Sequence, residues 1–135
     1  MAEETNSEAE NYVTEHYALA RQHLASRASG SLLLAIAEFT KVVAIDPDYR
    51  DAYERLGYAL QEEKNILEYI SEFQELLAAD PNDVPTRYRL ARYLRTMGRN
   101  EKAIQHWRIV AKMDYPDWSK SARKMLRKHY QIIED

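Results

Sequence analysis

Cysteine is absent from this chain of 135 residues, which excludes a disulfide framework, a thiolate zinc site and a cysteine nucleophile. Glycine and proline are scarce, at 3 and 4 residues, too few for the frequent tight turns of a β-sandwich or barrel. No apolar run exceeds the six residues of Leu32 to Ala37, far below the roughly 20 needed to span a bilayer. The first ten residues carry four Glu and no Lys or Arg, unlike the basic start of a signal peptide. These absences point to a single all-helical domain in the cytoplasm.

What is present recurs at a fixed stride. Phe39, Phe73 and Trp107 lie 34 residues apart, as do Ile36, Ile70 and Ile104, and Asp46, Asp80 and Asp114. A period kept by three independent residue types is a structural repeat whose units must stack to bury their apolar faces. Within the middle unit, Ala52, Tyr53, Leu56, Gly57 and Leu60 form one helical stripe. Ile66, Tyr69, Ile70, Phe73, Leu76 and Leu77 form another, and Lys64-Asn65 is read as the turn between them. Asp80-Pro81 ends the pair, because proline cannot continue the hydrogen-bond ladder and disfavours helix in the residue before it.

The next unit repeats this with Leu90, Ala91 and Leu94, a turn at Met97-Gly98, and Ala103, Ile104, Trp107, Val110 and Ala111. Asp83 is its expected N-cap, with Pro85 in the first turn. The first unit has a regular second helix (Leu33, Ile36, Phe39, Val42, Val43), but the polar stretch Ser26 to Ser31 implies a longer opening helix and a looser turn at Gly30. A last helix should start near Asp117, with Trp118, Ala122, Met125, Leu126 and Ile132 or Ile133 inward.

The 34-residue helix-turn-helix period resembles the tetratricopeptide repeat family. The residues that carry the resemblance are Tyr53, Leu56, Gly57, Leu60, Phe73 and Pro81 in the middle unit, Leu90, Ala91, Leu94, Gly98, Ala103 and Trp107 in the third, and Gly30, Ala35, Phe39 and Pro47 in the first. It implies a right-handed α-solenoid of three repeats, at about 12–48, 49–82 and 83–116, preceded by an acidic flexible segment 1–11 and followed by a basic capping helix 117–135, about seven helices in all. Three positions depart from the family pattern. Lys64 stands where the family usually has glycine, Tyr69 where it has a small residue, and Arg87 where it has an aromatic one. On the family geometry Tyr69 would face Gly57 and fill the space that glycine vacates.

The resemblance further implies a concave groove lined by the first helix of each unit, which binds a peptide or a protein surface. Glu54, Tyr58 and Gln61 share one face there, and Tyr88, Arg92 and Arg95 do so one period later. Charge is divided along the chain. Residues 1–83 hold 6 Lys/Arg against 17 Asp/Glu, giving −11, and residues 84–135 hold 13 against 5, giving +8. Arg89, Arg99, Lys120, Arg123, Lys124, Arg127 and Lys128 are therefore candidate contacts for an anionic partner. A clamp for the C-terminal carboxylates of chaperone peptides is not expected, since only Arg89 fits one of its positions and Ala18, Gln22, Arg55 and Pro85 fall near the others.

His16, His23, His106 and His129 form no metal motif. No carboxylate pair is singled out for acid-base chemistry, and no glycine-rich phosphate loop exists. The chain is thus expected to be a non-catalytic scaffold or adaptor that needs no cofactor or metal. Two alternatives use the same residues. RNA or DNA could bind the basic half and its aromatic residues, or oppositely charged ends could associate head to tail.

Overall fold

The computed structural model describes the backbone of residues 2–133, and side chains from Ser7 onward. Six helices and no strand occur among them: α1 (Ala2–Ala25), α2 (Ser31–Ile45), α3 (Arg50–Ala79), α4 (Val84–Thr96), α5 (Asn100–Ala111) and α6 (Pro116–Tyr130). None is long and apolar enough to cross a membrane among the described residues. The chain divides into two compact units, Met1–Asn65 and Ile66–Asp135.

In the first unit α1 packs on α2. Val13 and Ala20 of α1, Ala35, Phe39 and Val42 of α2, and Ala52 of α3 form the core, with Tyr17, Leu24, Tyr49 and Leu56 packed against it. Tyr17 sets its ring edge-on to Phe39 at 6.0 Å, and its hydroxyl donates to the Asp51 carboxylate. The acidic residues near the start of the chain lie on α1, whose assigned start is Ala2. Their Glu and Ala content favours helix.

The stops of α2 and α3 repeat each other. Asp46 N–H closes the last turn of α2 on Val42 O at 2.8 Å, and Asp80 N–H closes α3 on Leu76 O at 2.9 Å. Each aspartate then accepts from the backbone two residues on, Asp48 N–H at 3.3 Å and Asn82 N–H at 3.0 Å. Such an Asx turn holds the exit from the helix while the proline blocks its continuation.

The second unit packs α4 on α5, α5 on α6, and α4 on α6. Leu90, Ala91, Leu94, Ala103, Trp107, Val110, Ala122 and Leu126 are all at most 1% exposed. Asp83 caps α4 as expected, its carboxylate accepting from Thr86 N–H at 3.2 Å and from the Thr86 hydroxyl at 2.7 Å. Lys120, Lys124, Arg127 and Lys128 of α6 turn outward while Ala122 and Leu126 turn inward.

The middle unit differs from its sequence reading. Lys64 and Asn65 form no turn: α3 runs through them as one helix of 30 residues, so the described residues hold six helices rather than about seven. The reason lies in one position per period. Gly30 and Gly98 both take φ 74°, the left-handed conformation that ends one helix and redirects the chain, and which costs other residues about 1–2 kcal/mol. Halfway between them, 34 residues from each, stands Lys64. The flanking Gln61, Glu62 and Glu63 favour helix, and the Gln61 amide donates to Asn65 Oδ1 across the junction at 3.0 Å. Gly57 consequently meets no neighbour: a Cβ built there finds nothing within 4 Å. The expected exchange of volume with Tyr69 does not occur, and Tyr69 stacks on Tyr93 instead.

Candidate functional site

On the first half of α3, Glu54, Tyr58 and Gln61 share an exposed face as their spacing implied. Tyr58 is 77% exposed. Glu54 lies 3.6 Å from Arg50, one turn earlier on the same helix, and Gln61 is engaged with Asn65. This face belongs to the first unit.

On α4 the expected set separates. Tyr88 is buried, its ring 6.3 Å from that of Trp107 and 5.4 Å from that of Trp118. Burial raises the pKa of its hydroxyl, against the opposing effect of Arg92. Arg95 is half-buried and near enough to α6 to act electrostatically on His129 and Tyr130. Only Arg92 of the three is exposed. The charge pattern gave no sign of this, because it does not reveal that α6 covers one flank of α4.

The exposed chemistry of α4 lies on its other flank. Arg89, Arg92, Tyr93 and Thr96 line an open cavity of about 180 Å³. Arg89 and Arg92 stand one turn apart, so both guanidinium groups can address one anionic group. Tyr93 forms the apolar wall. Its ring stacks on Tyr69 at 5.4 Å with a 17° interplanar angle and contacts Phe73 at 5.8 Å. Thr96 donates its hydroxyl to Arg92 O at 3.1 Å, which fixes its side chain at the cavity edge. The sequence reading had Arg89 and Arg92 but not Thr96. A stripe at i, i+3, i+4 and i+7 from Arg89 contained the signal.

The remaining cations are dispersed. Arg123 donates to Ala111 O at 3.4 Å and so covers the end of α5. Lys120 and Lys124 are exposed on α6. Arg127 and Lys128 occupy its last turn, where positive charge complements the helix dipole. Arg99 precedes α5 and is exposed. Arg87, at the position where an aromatic residue was expected, bonds His106 Nδ1 at 3.1 Å and Pro81 O at 2.9 Å. Burial first, and then Arg87 and Lys102, hold the His106 pKa below its ordinary value.

His16 and His23 on α1 do not assemble a metal site. His16 Nδ1 meets the Glu38 carboxylate, and among the described residues no group of three or more His, Asp and Glu could hold a metal ion. Burial alone would raise the Glu38 pKa, but hydrogen bonds from His16 and Lys41 together bring it below its ordinary value.

Comparison with known proteins agrees with the repeat read from the residues. Residues 72–105 match the tetratricopeptide repeat family model, a span of one period running from the end of α3 through α4 into α5. No curated protein and no solved structure matches the chain. The described residues are all-helical, and residues 72–105 are similar to the tetratricopeptide repeat.

Proposed function

We propose that this chain is a non-catalytic scaffold or adaptor, working in the cytoplasm, whose α4 face holds an acidic segment of a partner protein. The observation that carries this reading is the cavity where Arg89 and Arg92 stand beside Tyr93 and Thr96. Arginine and tyrosine are favoured at interfaces because they combine contact area with directed hydrogen bonds. An acidic side chain placed there gains two charge-assisted bonds, and an apolar neighbour can lie along the Tyr93 ring.

Nucleic acid is the weaker candidate for the same cations. Base stacking needs exposed rings, yet Trp107 and Tyr88 are buried and Trp118 is half-buried.

The test is binding of a fluorescent Glu-rich peptide bearing one aromatic residue, followed by anisotropy. Each exposed pair contributes about 0.2–1 kcal/mol, so losing both pairs in Arg89→Glu/Arg92→Glu should weaken binding by about two- to thirtyfold. Lys120→Glu/Lys124→Glu, on α6, should change it little. Equal affinity of the α4 variant and the parent protein would remove this assignment.

A further inference from the structure

Helix α4 carries Arg87, Arg89, Arg92 and Arg95, and neither Asp nor Glu. Two of these arginines are engaged inside the second unit. Arg87 donates to His106 Nδ1 at 3.1 Å and to Pro81 O at 2.9 Å, and Arg95 acts on His129 and Tyr130 of α6. Arg89 and Arg92 are exposed instead, and among the described residues no carboxylate pairs with either. Their two charges meet in one cavity, which Tyr93 and Thr96 complete.

The wall beside these cations is an aromatic ring held in place from behind. Tyr93 stacks on Tyr69 at 5.4 Å and lies 5.8 Å from Phe73, and all three belong to the second unit. Tyr93 is half-buried, so part of its ring remains for a ligand. Because its neighbours already fix it, little freedom is lost when a ligand packs there.

Volume and charge together narrow the ligand. The cavity measures about 180 Å³, more than the roughly 150 Å³ that holds a benzene ring in an apolar protein interior. It admits one aromatic ring, and a carboxylate group alone would leave most of it to water. A carboxylate also brings a single charge and two oxygens, enough for one guanidinium fork. A phosphate monoester carries a charge of about −1.5 to −2 at pH 7 and presents three acceptor oxygens. That matches two forks one helical turn apart.

We propose that the residue received on α4 is a phosphotyrosine of the partner segment, its phosphate held between Arg89 and Arg92 and its ring against Tyr93. The inference rests on the reading of α4 as the face that holds an acidic segment. It assigns to one residue the charge and the apolar surface that an acidic side chain and its neighbour would otherwise supply separately. A phosphoserine would bring the charge without the ring, and an unmodified tyrosine the ring without the charge.

The test uses fluorescent peptides that share one Glu-flanked frame and differ only at a central residue: phosphotyrosine, tyrosine, phosphoserine or glutamate. Anisotropy with the unmodified protein should rank phosphotyrosine first, about tenfold tighter than tyrosine and about two- to tenfold tighter than phosphoserine. Arg89→Lys/Arg92→Lys keeps the charge but removes the forks, and should reduce the preference for phosphotyrosine over glutamate. Tyr93→Leu keeps an apolar side chain against Tyr69 and Phe73, and should bring the phosphotyrosine peptide to the affinity of the phosphoserine peptide with the circular dichroism spectrum unchanged. Phenyl phosphate should displace the phosphotyrosine peptide; equal displacement by adenosine monophosphate would overturn the proposal in favour of a nucleotide. Equal affinity of the phosphotyrosine and glutamate peptides, both weakened in Arg89→Glu/Arg92→Glu, would overturn the proposal and leave the acidic-segment reading standing. Binding of both peptides unchanged in that variant would overturn the two together.

Discussion

Phe39 and Phe73 occupy the same position of the repeat, yet truncating them should have unequal consequences. Phe39 is fully buried in the first unit, with Tyr17 edge-on to its ring. Phe39→Ala should therefore cost about 3–5 kcal/mol, the usual loss for a buried aromatic side chain. Phe73 is half-buried and rests on Tyr69 at 6.2 Å and Tyr93 at 5.8 Å. Half the burial implies about 1.5–2.5 kcal/mol for Phe73→Ala in dilute solution. With a urea slope of about 2 kcal/mol/M, the midpoint should fall by about 2 M for Phe39→Ala and by about 1 M for Phe73→Ala. Circular dichroism reads both transitions, and fluorescence of Trp107 and Trp118 reports the second unit separately. Equal losses at the two sites in dilute solution would refute the reasoning that the two sites differ in burial.

Other predictions concern turns, caps and titration. Gly98→Ala places a Cβ at φ 74° and should lower stability by about 1–2 kcal/mol in urea titration. Asp83→Ala removes the acceptor of Thr86 N–H and should cost about 1 kcal/mol, with Asp83→Asn retaining most of it. His106 and His129 both have pKa values held below the ordinary 6.5 by burial first and nearby cations second. Between the folded value and 6.5 the unfolded chain binds more protons, so their stabilising effect is full above pH 6.5 and declines as pH falls through that window. The urea midpoint of the second unit should drop between pH 7.5 and 5.5, and less so in His129→Gln. Glu38 has the carboxylate version of this dependence: its contribution is present above pH 4.5 and is lost as pH falls through its lowered folded value.

Much of the fold was legible because punctuation and periodicity agreed. Asp46-Pro47 and Asp80-Pro81 end α2 and α3 through the same Asx geometry, and Gly30 and Gly98 redirect the chain at equivalent positions. Lys64 was misread because amphipathic stripes on both sides imply a hairpin, whereas the turn itself depends on a glycine the chain lacks there. A periodic pattern records which faces want burial; it does not say that the chain can bend between them. The α4 face was legible in part. Arg89 and Arg92 stood out by charge, but the burial of Tyr88 between Trp107 and Trp118 depends on how α6 docks, which spacing along α4 does not encode.

A glycine-free junction turns the middle helical hairpin into one helix. Spin labels at Glu54→Cys and Glu72→Cys, both exposed, measure this by pulsed electron resonance when labelled chains are diluted in unlabelled ones. Eighteen residues of continuous helix separate the two positions by about 27 Å along its axis. A distance near that value, shortening in Lys64→Gly, is predicted. A distance of about 10 Å in the unmodified sequence, the spacing of neighbouring helices in a hairpin, would contradict it.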